Sequence, residues 1–186
     1  MATLVEIEAA LAASWDREQL AVYGDFLQSS GDPRGELIAI DLAGRSSERA
    51  ARKRELVVEW LGEDLATIVL HVGAVEHAFV HVGHRAPDMA TFALVELLAH
   101  PAGHYLRELT IADDHSGRLT DALDLLGAAP RPWLARLRIF AAVIGHVYAL
   151  DRAIAVMPLL RDLEVAEDIA RMLHIPPSIH VSRPTS

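Results

Sequence analysis

The sequence predicts an α/β protein, with a helical module over residues 1–72, a short solenoid over residues 73–181 and a tail over residues 182–186. In that solenoid parallel strands stack side by side and carry helices on their convex face. Three observations predict it. Apolar residues recur at helical spacing through the first module, a six-residue strand pattern recurs four times after it, and each interval between strands ends in Pro or Gly.

The helical elements follow in order. Leu4, Ile7 and Leu11 have the three- and four-residue spacing of an amphipathic helix across residues 3–14. Asp16 or Ser14 is placed to cap a second helix with an apolar face of Leu20, Val22, Tyr23, Phe26 and Leu27. Gly31-Asp32-Pro33 ends it, because Pro has no amide donor and restricts the residue before it. A third helix runs through Leu37, Ile38, Ile40 and Leu42 to Gly44, and a fourth from about Ser47 to Leu61, stopped by Gly62.

The texture then changes. His77-Ala78-Phe79-Val80-His81-Val82, Leu106–Ile111, Leu134–Ile139 and Leu160–Val165 share one pattern: apolar, two variable, then apolar, variable, apolar. His77 departs at the opening position. Aligning Val80, Leu109, Leu137 and Leu163 gives steps of 29, 28 and 26 residues. A period in the twenties with an L-x-x-L-x-L core marks a leucine-rich-repeat-like solenoid of about four units. Met89–Ala99, Leu119–Ala128 and Ala149–Met157 supply the intervening helices, and Ile175–Val181 a possible terminal edge. The chain contains no Asn, so the side-chain amide ladder usual in such repeats is missing; Arg85, Asp114, Ala142 and Asp168 occupy the equivalent positions.

Composition narrows the function. A hydrophobic fraction of 52% with only 5% aromatics points to a core filled by Ala, Leu and Val. The net charge is −9 and Lys53 is the one lysine, which disfavours binding along phosphate backbones. The run Arg49, Arg52, Lys53, Arg54, interleaved with Glu48 and Glu55, reads as a solvated helix face. With no Cys, disulfides, thiolate metal sites and a Cys nucleophile are excluded. Early Glu6, Glu8 and Asp16 do not suit a secretory signal, and no run reaches the roughly 18 apolar residues of a spanning helix. A cytoplasmic protein with no nucleic-acid or membrane partner and no cofactor is expected.

The stretch Leu20-Ala21-Val22-Tyr23-Gly24-Asp25-Phe26-Leu27, followed by Gly31-Asp32-Pro33-Arg34-Gly35-Glu36-Leu37-Ile38, resembles the bacterial repeat-companion domain. That family is known from myxobacterial and planctomycete proteins among others. It carries a Y-x-D-[WF]-L helix ending, a G-D-P-R-G-E connection and another apolar helix, commonly ahead of leucine-rich-like repeats. The match spans about residues 16–45 and implies this order of modules, but no activity and no catalytic residues. Physically, Gly31 suits a left-handed helix end, Asp32 an N-cap, Pro33 the first helical turn and Glu36 its positive end, with Arg34 placed to pair with Asp25.

In such strands the apolar positions point inward and the variable ones outward. The outward pairs are Phe79 and His81, Glu108 and Thr110, Arg136 and Arg138, and Asp162 and Glu164. Bordered by Phe140, they form either a mixed-charge surface for binding another protein or cross-strand pairs worth at most about 1 kcal/mol each. An oligomer built through the helical module or the open solenoid ends is the structural alternative.

His71, His77, His81 and His84, with Asp88 near, and then His100, His104 and Asp113-Asp114-His115, raise the question of a metal enzyme. Their spacing matches no standard ligand motif, and His77 and His81 on one strand would stand roughly 13 Å apart. No metal site is expected. Asp113-Asp114-His115-Ser116-Gly117 reads as a turn, since residues adjacent in sequence do not reach triad geometry. A non-enzymatic binding protein is the expectation.

Overall fold

Five helices open the chain: α1 (Leu4–Ala13), α2 (Arg17–Ser29), α3 (Pro33–Ala43), α4 (Ser47–Leu61) and α5 (Glu63–Val72). The structure, a computed structural model, describes residues 3–83, 94–111, 119–140 and 144–183. The first four helices start at Thr3, Asp16, Asp32 and Ser46, whose side-chain oxygens each accept an amide of the first turn. Such a cap is worth about 1 kcal/mol. Glu6 completes a capping box by accepting the Thr3 amide at 2.7 Å.

Two compact units emerge, one comprising the residues up to Thr67 with Val75–Phe79, the other Ile68–Ala74 with the chain from Val80 onward. In the first, α2 and α3 cross through glycines. A Cβ on Gly35 would stand 2.5 Å from the Gln28 amide nitrogen and 2.6 Å from the Gly24 carbonyl oxygen, so only Gly fits. Leu11, Tyr23, Leu27, Leu37, Ile38, Leu56 and Val57 fill the interior.

Arg34 is buried, and its Nε donates to both oxygens of the N-cap Asp32 at 3.0 Å. In place of the expected Asp25, the ion pair of Arg34 goes to Asp32, which already faces the first turn of α3 that Arg34 shares. Burial pushes the Asp32 carboxyl up, but hydrogen bonds from Arg34 and its charge outweigh burial and hold it below the ordinary carboxylate value. Asp41 in α3 accepts from Lys53 Nζ of α4 at 2.6 Å and from the His77 amide at 2.6 Å.

The strands are β1 (Gly73–Glu76), β2 (Phe79–Val82), β3 (Leu106–Ile111), β4 (Arg136–Ile139), β5 (Asp162–Val165) and β6 (His180–Ser182), which follow one another in that order across one sheet. His77 and Ala78 join β1 to β2 with φ of 50° and 64°, the pair of positive angles that a tight two-residue hairpin turn requires. From β2 to β6 every pairing is parallel. Parallel neighbours need a crossover. A helix at 94–99 (α6) and a 3-10 turn at Pro101–Tyr105 precede β3; α7 (Leu119–Ala128), α8 (Val147–Ala155, entered through Ile144–His146) and α9 (Glu167–Ala170) precede β4, β5 and β6. The architecture is α/β, as expected.

Register explains the strand pattern. Leu109, Leu137 and Leu163 pair in a row, as do Ile111, Ile139 and Val165, and nearly all these side chains are sealed from solvent. Strict alternation cannot place L-x-x-L-x-L all on one face, because the first two leucines are an odd number of positions apart. The chain resolves this before the paired segment: β4 and β5 begin two residues after Leu134 and Leu160, which are nonetheless buried.

The expected position of Val80 beside Leu109 is not observed. Val80 pairs with Leu106, and Val82 takes the place beside Leu109, with a register shift between Val80 and His81. The cause is Arg107, an extra residue on β3 that β2 does not match. The terminal edge within Ile175–Val181 is realised slightly later, as β6 pairs Val181 with Leu163.

Arg131 braces the second unit from inside. Its Nη2 donates to the Leu98 and Leu125 carbonyls at 3.1 and 3.0 Å, oxygens near the ends of α6 and α7 that lack a helical partner. The first part of the expected helix Met89–Ala99, residues 89–93, together with His84, Arg85, Asp88, Asp113 to Gly117 and Ala142, lies outside the described residues. Asp168 falls in α9.

Candidate functional site

The outward positions of the parallel strands form two rows. One runs His81, Glu108, Arg136, Asp162 and His180; the next runs Thr110, Arg138, Glu164 and Ser182. Each side chain stands opposite its neighbour because the strands are in register, so the expected alignment of Glu108, Arg136 and Asp162 holds, as does that of Arg138 and Glu164.

Along the first row the charges alternate. Arg136 Nη1 lies 3.3 Å from Glu108 Oε1 and its Nε lies 3.5 Å from Asp162 Oδ2. His81 Nδ1 stands 4.0 Å from the same Glu108 oxygen. In the second row Arg138 Nε lies 3.1 Å from Glu164 Oε2. Glu164 is the least exposed of these carboxylates, while Arg136 and Arg138 remain about two-fifths exposed. A half-exposed ion pair contributes at most about 1 kcal/mol, so the rows stay available for an incoming group.

Two hollows lie along this face. The larger, about 490 Å³, is lined by His81, Glu108, Thr110, Arg138 and Phe140, with Val72 to Ala74 and Gly83 at its side. A smaller one of about 170 Å³ lies among Arg136, Arg138, Asp162, Glu164 and Ser182. Arg138 belongs to both. Eight of the nine residues expected on this face therefore share one continuous strip.

Phe79 is the exception. It is fully buried, with its ring 4.8 Å from that of Trp15 edge to face and 6.4 Å from that of Tyr23. The alternation that would turn it outward with His81 is broken by the register shift beside Val80, and it joins the rings of Trp15 and Tyr23 instead. His180 and Ser182 extend the rows beyond the expected set. The signal for them was the Ile175–Val181 tail, whose pairing register the pattern alone did not fix.

Where these strands begin, Arg107 Nη1 donates to the Trp133 carbonyl at 3.4 Å. Burial and the neighbouring charge of Arg161 push the Arg107 guanidinium down to about 10.

Four of the described histidines serve separate local purposes. The His77 amide is bound by Asp41, His100 Nδ1 accepts the Ala102 amide at 3.1 Å, and the His104 ring meets that of Tyr105 edge to face at 5.0 Å. His174 holds Asp151 through both its amide and Nδ1. Among the described residues no three His, Cys, Asp or Glu side chains are grouped to hold a metal ion, and no helix is long and apolar enough to cross a membrane. Compared with protein-family models, curated proteins and solved structures, the chain matches none.

Proposed function

We propose that this chain binds another protein through the outward face of its parallel strands, the concave face of a short leucine-rich-like solenoid that follows a repeat-companion-like module. The observation that carries the reading is the hollow where Arg138, Thr110 and His81 meet the ring of Phe140. An aromatic side chain beside an arginine with spare donors is a common anchor arrangement in protein interfaces. Arg138 uses Nε on Glu164, which leaves its remaining guanidinium donors for an incoming carbonyl or carboxylate.

Photo-cross-linking tests it. A benzophenone amino acid placed at Thr110 or Phe140 is expected to trap the same protein from host lysate, whereas one at exposed Glu59 in α4 traps none of it. No adduct from either strand position, or the same adduct from Glu59, would reject the reading.

A second reading, assembly of copies of this chain, draws on the edge position of β6 and on the exposed Val181 and Met172. It predicts a mass above that of one chain in concentrated solution; a strictly monomeric mass rejects it.

A further inference from the structure

The helical unit contains an open-sided cavity of about 410 Å³ between the end of α3 and the start of α4, within the size range of small-molecule sites, with Arg45, Arg49 and Ala50 exposed at its rim. Ile40 and Ala50 supply apolar lining, and the cations Arg45, Arg49 and Lys53 converge on it. Their charges are not equally committed. Lys53 is spent on Asp41, whose other oxygen accepts the His77 amide.

Arg49 is different. Its Nη1 donates to the carbonyls of Ala43 and Gly44 at 3.0 and 3.3 Å, which fixes the side chain without neutralising it. Nε and Nη2 keep their donors. Among the described residues neither Arg45 nor Arg49 pairs with a carboxylate. The acidic residues of the lining are Asp41, already bound twice, and Glu76. A positioned guanidinium with free donors, a second beside it and an apolar lining match an anion with a hydrophobic body. The chain as a whole carries a charge of −9, so this local excess of positive charge runs against the background.

We propose that this cavity is a binding site for a carboxylate or phosphate group carried on a small apolar body. The site is independent of the strand face, and its failure would leave the protein-binding reading untouched.

The test is an amide chemical-shift titration of the whole chain with benzoate, phenyl phosphate, inorganic phosphate and neutral benzyl alcohol. Saturable shifts at Arg45, Ser46, Arg49, Ala50 and His77 are expected with benzoate or phenyl phosphate, and the stronger of the two identifies the head group. Inorganic phosphate and benzyl alcohol should bind at least about tenfold more weakly, since each lacks one half of the recognition. Arg45→Gln, which disturbs no hydrogen bond among the described residues, should weaken the anion severalfold with the rest of the spectrum unchanged. Arg45→Gln with Arg49→Gln should weaken it at least about tenfold. No saturable shift by either aromatic anion up to about 10 mM, equal binding of benzyl alcohol or of inorganic phosphate, or undiminished binding by the folded double variant would each overturn the proposal.

Discussion

Each of the two units is packed internally by its own means. In β3, β4 and β5 one arrangement is used three times: leucine beside leucine, then isoleucine or valine beside its like, with charged pairs on the opposite face. The helical unit repeats nothing. Its corners rest on single specific contacts: Asp32 with Arg34, Asp41 with Lys53 and the His77 amide, and a glycine-to-backbone crossing at Gly35. Periodic apolar burial is tolerant in detail but costly to remove at its centre, whereas singular contacts fail one residue at a time.

That contrast sets the expected size of each perturbation. Leu137→Ala empties the middle of the buried row, between Leu109 and Leu163, and should destabilise by about 2–5 kcal/mol in urea unfolding. A loss below about 1 kcal/mol would mean the row is not a packed core. Gly35→Ala forces a methyl group against the Gln28 and Gly24 backbone, which a side-chain rotation cannot relieve, and should cost about 1–3 kcal/mol. Unchanged stability would show that α2 and α3 do not approach so closely.

The third perturbation is smaller and depends on pH. Asp32→Asn keeps an N-capping oxygen but removes the charge facing Arg34, and should cost about 1–2 kcal/mol at neutral pH. Because the folded-state carboxyl is held below its ordinary value, its contribution is fully present above the unfolded value near 4 and is lost as pH falls through the lower folded value. The gap between the wild type and Asp32→Asn should therefore close in acid, measured by urea unfolding at neutral and strongly acidic pH. A gap that stays constant would assign the residue a capping role alone.

Legibility in the sequence follows the same division. Helical spacing with the Pro punctuation after it located α7 at Leu119–Ala128, and the stop at Gly62 fixed the end of α4 at Leu61. The charged rows were readable because parallel pairing in register follows from equal offsets in three strands. β2 was not, since its partner carries an extra residue, Arg107, whose effect on register appears only when the two strands meet. Phe79 misled for the same reason: alternation says which side a residue takes, not which aromatic rings wait there. Arg34 had two carboxylates within reach, and only the helix start decided between them. The cavity beside Arg49 was invisible because it depends on carbonyls at the end of α3, and backbone acceptors leave no mark in a residue pattern.

The binding role of the strand face is tested most directly by reversing its two arginines. Arg136→Glu with Arg138→Glu turns both rows acidic while leaving Leu137 and Ile139 inward, so the variant should fold with a loss of about 1–2 kcal/mol. In a pull-down from host lysate, the wild type should retain a discrete partner and the folded double variant should lose it. Retention of that partner by the folded variant, or no retained protein with the wild type, would contradict the account.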